Sequence, residues 1–503
     1  NKWKLRFNRG HFYQGYDQYG NAWPEKFRTI NFGTAASPWV SPNRGMAGMD
    51  EALAFKLFNT VGVAAPNIAP FQFRVIDNAV EAHPSNQYEG DLWGLYLAFE
   101  NPSGPFLDAH DLPDGNLYRF GPIELENQGP GLPSSTTFVT NFVTAYNQPH
   151  TVSWWRDNVD VEGYYSYRSI VETVNHSDLV EMHNMLLFYN PETGKWSQLP
   201  WDVDLLYEEY DRWGPNGVQQ TIPLEPFRRM LARQELNIEF QARARELQDL
   251  LLNQDQGWQM IEEYARYVEP FADVDRDMWN YNPRTVGAHI GAFYKEVRNY
   301  DNNASGVSRT ISPASFEGMI NWVKEFTTLG GFGGNQLEVL YADAAIPDTP
   351  TINYLGGVGY PIDDLTFQTS SFSDPQGNGS FGAMEWRVGE ISDPAAPSYD
   401  AAVPTIYEIN AIWESGELAG FGDQMTVPAD SIEVGHAYRA RVRMKDDSGR
   451  WSHWSEPIQL IAGEAIGPAA DGLRITEIMY HPAGPTADEL AVDATFTADD
   501  FEF

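Results

Sequence analysis

The residues between 178 and 204 have the types and spacing for chemistry on a phosphate. One side of a short apolar interval carries Asp178-Leu179-Val180-Glu181-Met182-His183-Asn184, and the other carries Pro200-Trp201-Asp202-Val203-Asp204. Phosphoryl transfer asks for this inventory. One carboxylate must orient or deprotonate the accepting hydroxyl, while an amide oxygen and further carboxylates hold the magnesium that neutralises the phosphates. The interval itself, Met185 to Tyr189 and Trp196 to Leu199 around Asn190-Pro191-Glu192-Thr193-Gly194, reads as a β-hairpin. A hairpin returns the chain to its starting point, so Asn184 before it and Asp202 after it would carry two metal oxygens to one place. His176 and His183 stand across a loop at a poor spacing for zinc, and hydrogen-bonded structural roles fit them better. Gly330-Gly331-Phe332-Gly333-Gly334 lacks the Lys-Ser/Thr pair of a phosphate cradle and reads as a flexible loop.

The elements that must position these residues follow from hydrophobic patterning. Residues 1 to 120 mix strands at Phe27 to Phe32, Phe71 to Ile76 and Leu92 to Phe99 with one helix from Met49 to Val61, stopped by Gly62. From 121 to 345 helices dominate: Thr137 to Tyr146, Val161 to Asn175, Glu225 to Arg233, Leu236 to Leu252, Trp258 to Val268 and Pro313 to Phe326. Pro347, Pro350 and Gly356-Gly357 mark a linker, after which turns rich in Gly, Asp and Pro separate short strands of an all-β unit over 346 to 465. In it, Tyr438 to Met444 alternates Arg439, Arg441 and Arg443 onto one face, where Trp451 and Trp454 could stack between the guanidinium planes. The opening run from Asn1 to Phe7 alternates like a strand entered midway, and the run ending at Phe503 stops inside one, so both ends are expected to be cuts.

Composition excludes several function classes. The 503 residues include 28 Phe, 25 Tyr and 16 Trp, which is globular material sufficient for several cores. With no Cys, disulfides, Cys-ligated zinc and thiol catalysis are ruled out. A formal charge of −37 repels nucleic acid and anionic lipid over most of the surface. No apolar run is long enough for a transmembrane helix.

Five segments resemble the CotH kinase (spore coat protein H-like) family, in order and over most of residues 1 to 330. They are Leu53 to Phe58 with Val61-Gly62-Val63, Asp91 to Glu100, Gly115-Asn116-Leu117-Tyr118-Arg119, His183-Asn184 and Pro200 to Asp204. The resemblance implies an α+β, atypical protein-kinase-like fold of two lobes, residues 1–120 and 121–345. It also implies a secreted or cell-surface enzyme that transfers the γ-phosphate of ATP to Ser with Mg2+ or Mn2+. By the same resemblance Asp178 is the catalytic-loop acid, Asn184 and Asp202 are metal ligands, and Asp204 is an additional or outer ligand. Glu51 sits on the regulatory helix, Glu100 lies at the inter-lobe crossing near adenine, and one of Lys4, Arg28 and Lys56 meets the phosphates, Lys56 fitting a solvent-facing role better and Arg28 being preferred for its bidentate guanidinium. Asp178 precedes Asn184 by six residues where family members usually have five, which keeps a kinase-like surface or adhesion module without catalysis as the alternative. Residues 346–465 resemble a fibronectin type III domain, with Trp451-Ser452-His453-Trp454-Ser455 similar to the Trp-Ser-x-Trp-Ser box, and residues 466–503 resemble the start of a lamin-tail domain at Leu473 to Pro482. Such appended sandwiches imply a cell-surface or matrix partner beside the protein substrate.

Overall fold

The computed structural model describes residues 2–36, 45–83, 90–176, 179, 183–204, 206–207, 227–279, 293–294, 311–331, 333–334, 337–338, 342–467, 484–495 and 497. Asp178 and Leu473 to Pro482 lie outside the described residues. Two antiparallel four-stranded sheets open the chain. The first has the order β1-β2-β4-β3, from Lys2–Arg6, Thr29–Thr34, Leu92–Glu100 and Ile68–Arg74. The second has the order β6-β5-β7-β8, from Glu124–Asn127, Asn116–Arg119, Met185–Asn190 and Lys195–Pro200.

Helix α1 (Met49–Thr60) is buried along almost its whole length and packs against α5 (Val161–Val174) and α7 (Gln256–Trp279). It starts from Gly48 at φ 79, a left-handed position that disfavours any side chain. Short helices α2 (Gly104–Ala109), α3 (Thr137–Tyr146) and α4 (Val152–Asn158) precede α5, and α6 (Gln234–Leu250), α7 and α8 (Phe316–Thr327) complete the helical layer. One continuous apolar core runs through both sheets and these helices and also takes in Tyr407, Ile409 and Trp454.

Residues 352–461 form a separate unit with its own core. It is built from a three-stranded sheet, β13-β10-β9 (Gln424–Thr426, Thr366–Thr369, Ile352–Tyr354), and a four-stranded sheet, β12-β11-β14-β15 (Ala411–Glu414, Phe381–Ile391, Ala437–Asp446, Ile458–Ile461). A short helix, α9 (Ala487–Val492), follows.

Three expectations are corrected. The helix expected from Trp258 to Val268 runs on to Trp279 through Pro270, because its far end is held by the first sheet: Leu95 N donates to Asp275 Oδ1 at 3.1 Å. In place of a helix over Glu225 to Arg233 there is a single 3-10 turn, Arg228–Ala232, with residues 221–226 outside the described set. Of the three arginines aligned on β14, only Arg443 stacks between the indoles, 4.3 Å from the Trp451 ring and 4.4 Å from that of Trp454. Arg387 of β11 lies over Trp454 instead, because Arg439 and Arg441 both turn to the buried Glu408.

Candidate active site

The β7–β8 hairpin is fixed by its turn and by its neighbour. Asn190 Oδ1 accepts from the N–H groups of Glu192 at 2.9 Å and Thr193 at 3.2 Å, and Gly194 N donates to Asn190 O at 2.9 Å, an Asx turn that sets the register. On its other side β7 pairs with β5, and Gly115, just before β5, is forced by contact. A Cβ there would strike the Tyr189 carbonyl and come within 2.7 Å of the Phe188 ring. Asn116, fully buried, ties this strand to the next loop: Nδ2 donates to Tyr118 Oη at 2.8 Å and to Pro133 O at 2.9 Å, and Oδ1 accepts from Gly129 N at 3.0 Å. Gly115 and Asn116 thus serve the scaffold that carries the hairpin.

In the ladder Met185 faces Pro200, so the chain enters at Asn184 and leaves at Trp201 on the same open end. Asn184 has φ 58 and Asp202 has φ 56. Left-handed backbone is uncommon outside glycine and is adopted most readily by Asn and Asp, the residue types that stand on the two chain segments at this end of the hairpin. Between the half-buried Asp202 and Asp204, Val203 is buried at 1% exposure and anchors the segment to the core. Approaching from the other side, α5 is capped by Asp160, which accepts from Gly163 N at 3.1 Å, and ends at Asn175 in left-handed conformation. His176, almost fully buried, follows.

The other sequence candidates are placed as follows. Glu51 and its neighbour Asp50 are buried in the first turn of α1, where two carboxylates are favoured by the helix dipole. Downstream of Asp204, Tyr207 is fully buried, donates its backbone N–H to Val174 O at 2.8 Å and accepts from Trp322 Nε1 at 3.0 Å. Burial, with the Asp50 carboxylate nearby, pushes the Tyr207 phenol well above its ordinary range, and its hydroxyl has no hydrogen-bond partner. Asp50 on α1 thus lies near enough to Tyr207 for its charge to be felt there, a proximity that neither residue's local sequence announces. Glu100, fully buried at the end of β4, accepts from Asn67 N at 3.0 Å, Asn67 Nδ2 at 2.9 Å and His110 Nε2 at 2.8 Å, so both its oxygens brace the crossing between the sheets. Arg28 precedes β2, is half-buried, and its Nε is buried without a partner, while Lys4 lies exposed on the edge strand β1.

Among the described residues there is no group of three or more His, Cys, Asp or Glu arranged to hold a metal. Asn184, Asp202 and Asp204 at this end of the hairpin carry hard oxygen atoms, the ligand type that magnesium takes.

A family model described as CotH kinase protein matches residues 46–327, more than half of the chain. The chain belongs to the CotH kinase protein family. Glu51, Glu100, Asp178, Asn184, Asp202 and Asp204 fall inside the CotH match, whereas Lys4 and Arg28 precede it. No curated protein matches the chain. No helix among the described residues is long and apolar enough to cross a membrane.

Proposed function

We propose that the chain is a secreted, CotH-like atypical protein kinase that transfers the γ-phosphate of ATP to Ser of extracellular or surface proteins. The observation that carries this reading is the placement of Asn184 and Asp202 at the open end of one hairpin, both in left-handed backbone. In this reading they hold Mg2+ or Mn2+ with Asp204 beside them, Asp178 accepts the proton of the Ser hydroxyl, and Arg28, with Lys4 as the other candidate, meets the phosphates. Asn184, Asp202 and Asp204 would hold the metal, which when bound would supply positive charge against the phosphates. Glu51 anchors α1 toward the site, and Glu100 fixes the crossing whose backbone borders the adenine. The strand order of residues 352–461, three strands facing four, supports a fibronectin type III-like module that would present the kinase to a partner at the cell surface.

Labelled γ-phosphate offered with a Ser-rich acceptor tests the reading. The wild-type chain transfers label in the presence of Mg2+ or Mn2+ and Asp202→Ala does not. Undiminished labelling by Asp202→Ala removes the metal assignment. The six-residue interval from Asp178 to Asn184 favours a second reading, a kinase-like binding module without transfer, and that reading expects no label from the wild-type chain either.

A further inference from the structure

The first sheet ends on β1, which has β2 on one side and no strand of the described residues on the other. Phe7 N donates to Arg28 O at 2.7 Å, continuing the β1–β2 register. Bonded pairs alternate along an antiparallel ladder, so Trp3 and Leu5 turn their backbone groups to β2, whereas those of Lys4 and Arg6 point away from the sheet. Outside the ladder no backbone group of the described residues takes the Lys4 or Arg6 N–H. At the opposite edge, β3 carries Pro70, which interrupts its outward row of donors. β1 has no proline.

The side chains of this edge alternate as well. Trp3 and Leu5 are 45% and 43% exposed on the face that continues through Phe32, and Trp3 stacks on Phe32 with centroids 6.2 Å and planes 10° apart. Lys4 and Arg6 are exposed on the other face, and no ion pair engages them among the described residues. Residues 1–28 hold six Lys and Arg against two Asp and Glu, in a chain whose formal charge is −37. Charges on an edge strand repel like edges. A basic edge on an acidic protein also selects, because it attracts an acidic strand that most of this surface repels.

We propose that β1 is a docking edge that takes an extended acidic segment of a partner protein as an added strand. The outward N–H and C=O groups of Lys4 and Arg6 supply the main-chain bonds. Apolar side chains of the segment lie beside Trp3 and Leu5, and its carboxylates, one residue out of phase, meet Lys4 and Arg6. The recognised pattern is therefore a strict alternation of apolar and acidic residues. Lys4 is the residue shared with the kinase reading, where Arg28 is preferred, and the docking needs neither ATP nor metal, so either reading can fail without the other.

The test is calorimetric titration of the whole chain, without ATP or metal, with a capped peptide alternating Glu and Val at low, constant ionic strength. The peptide binds saturably, and the same peptide N-methylated throughout, which keeps its side chains and loses its donors, does not. Arg6→Pro removes an outward N–H at an edge position that tolerates proline, and Arg6→Glu keeps the N–H and reverses the charge. Each weakens peptide binding about tenfold or more. Asp202→Ala leaves it unchanged. Absence of saturable binding, equal binding of the N-methylated peptide, or unchanged affinity in either Arg6 variant overturns the proposal. So does a wild-type dimer in analytical ultracentrifugation that Arg6→Pro dissolves, which would assign the edge to a second copy of the chain.

Discussion

Replacing Glu408 with Gln would remove one negative charge and almost no volume from the centre of the sandwich–helix contact. The Glu408 side chain is fully buried and serves three guanidinium groups. Arg441 donates from Nε and, at 3.0 Å, from Nη2, Arg439 Nη1 donates at 3.1 Å, and Arg387 Nη1 stands 3.9 Å away. Its backbone joins the two units as well: Glu408 N donates to Gln256 Oε1 at 2.8 Å and Glu408 O accepts from Arg387 Nη2 at 2.9 Å. Gln preserves these backbone bonds and leaves Arg387, Arg439 and Arg441 without their shared anion. Breaking a buried ion pair by removing one partner costs about 3–5 kcal/mol. For a unit of roughly 100 residues that lowers the midpoint of its unfolding transition by about 15 °C or more. Differential scanning calorimetry of the whole chain, following the sandwich transition, reads it directly. A loss below about 1 kcal/mol would mean the three arginines are compensated otherwise and would refute the assignment of Glu408 as their common counter-charge.

The same contact should loosen in acid. Burial raises the Asp343 and Glu246 carboxyls, but Arg450 with the Ala345 N–H outweighs this at Asp343, and Arg443 with Arg243 outweighs it at Glu246, so both lie below their ordinary values. Their stabilisation is complete above the ordinary carboxylate range and disappears as pH falls through the lowered values, so melting temperature should drop below about pH 4, less steeply in Asp343→Asn. Gly115→Ala should cost about 1–3 kcal/mol by forcing β5 from β7, measured by denaturant unfolding, and should weaken any ligand binding at the hairpin's open end. Tyr207→Phe removes a buried hydroxyl without a partner and should raise stability by about 1 kcal/mol, checked by thermal melting.

The hairpin, α1 and α5 are legible because their signals are local: an Asn190–Gly194 turn between apolar alternations, an apolar face stopped by Gly62, and a helical apolar period from Val161. What escaped depends on partners distant in sequence. Pro270 reads as a helix stop, yet α7 passes it because Asp275 and Trp279 are needed under β4, where Tyr96 is pushed up to about 12 by burial and by the Asp275 carboxylate. The alternation of arginines on β14 was visible, but the carboxylate that claims two of them sits on a loop, at Glu408, with nothing in its neighbourhood to announce it. At the site the return of the chain from Asn184 to Trp201 can be read from a turn flanked by strands. The burial of Asp50 on α1 and of Tyr207 cannot, since it depends on segments far apart in the chain.

Calorimetric titration of ATP into the chain, with and without Mg2+, tests the central claim most directly. Saturable binding that requires the metal is expected, lost in Asp202→Ala and weakened in Asn184→Ala, with both variants retaining the melting temperature of the wild-type fold. Metal-independent binding, or equal affinity in Asp202→Ala, would contradict it.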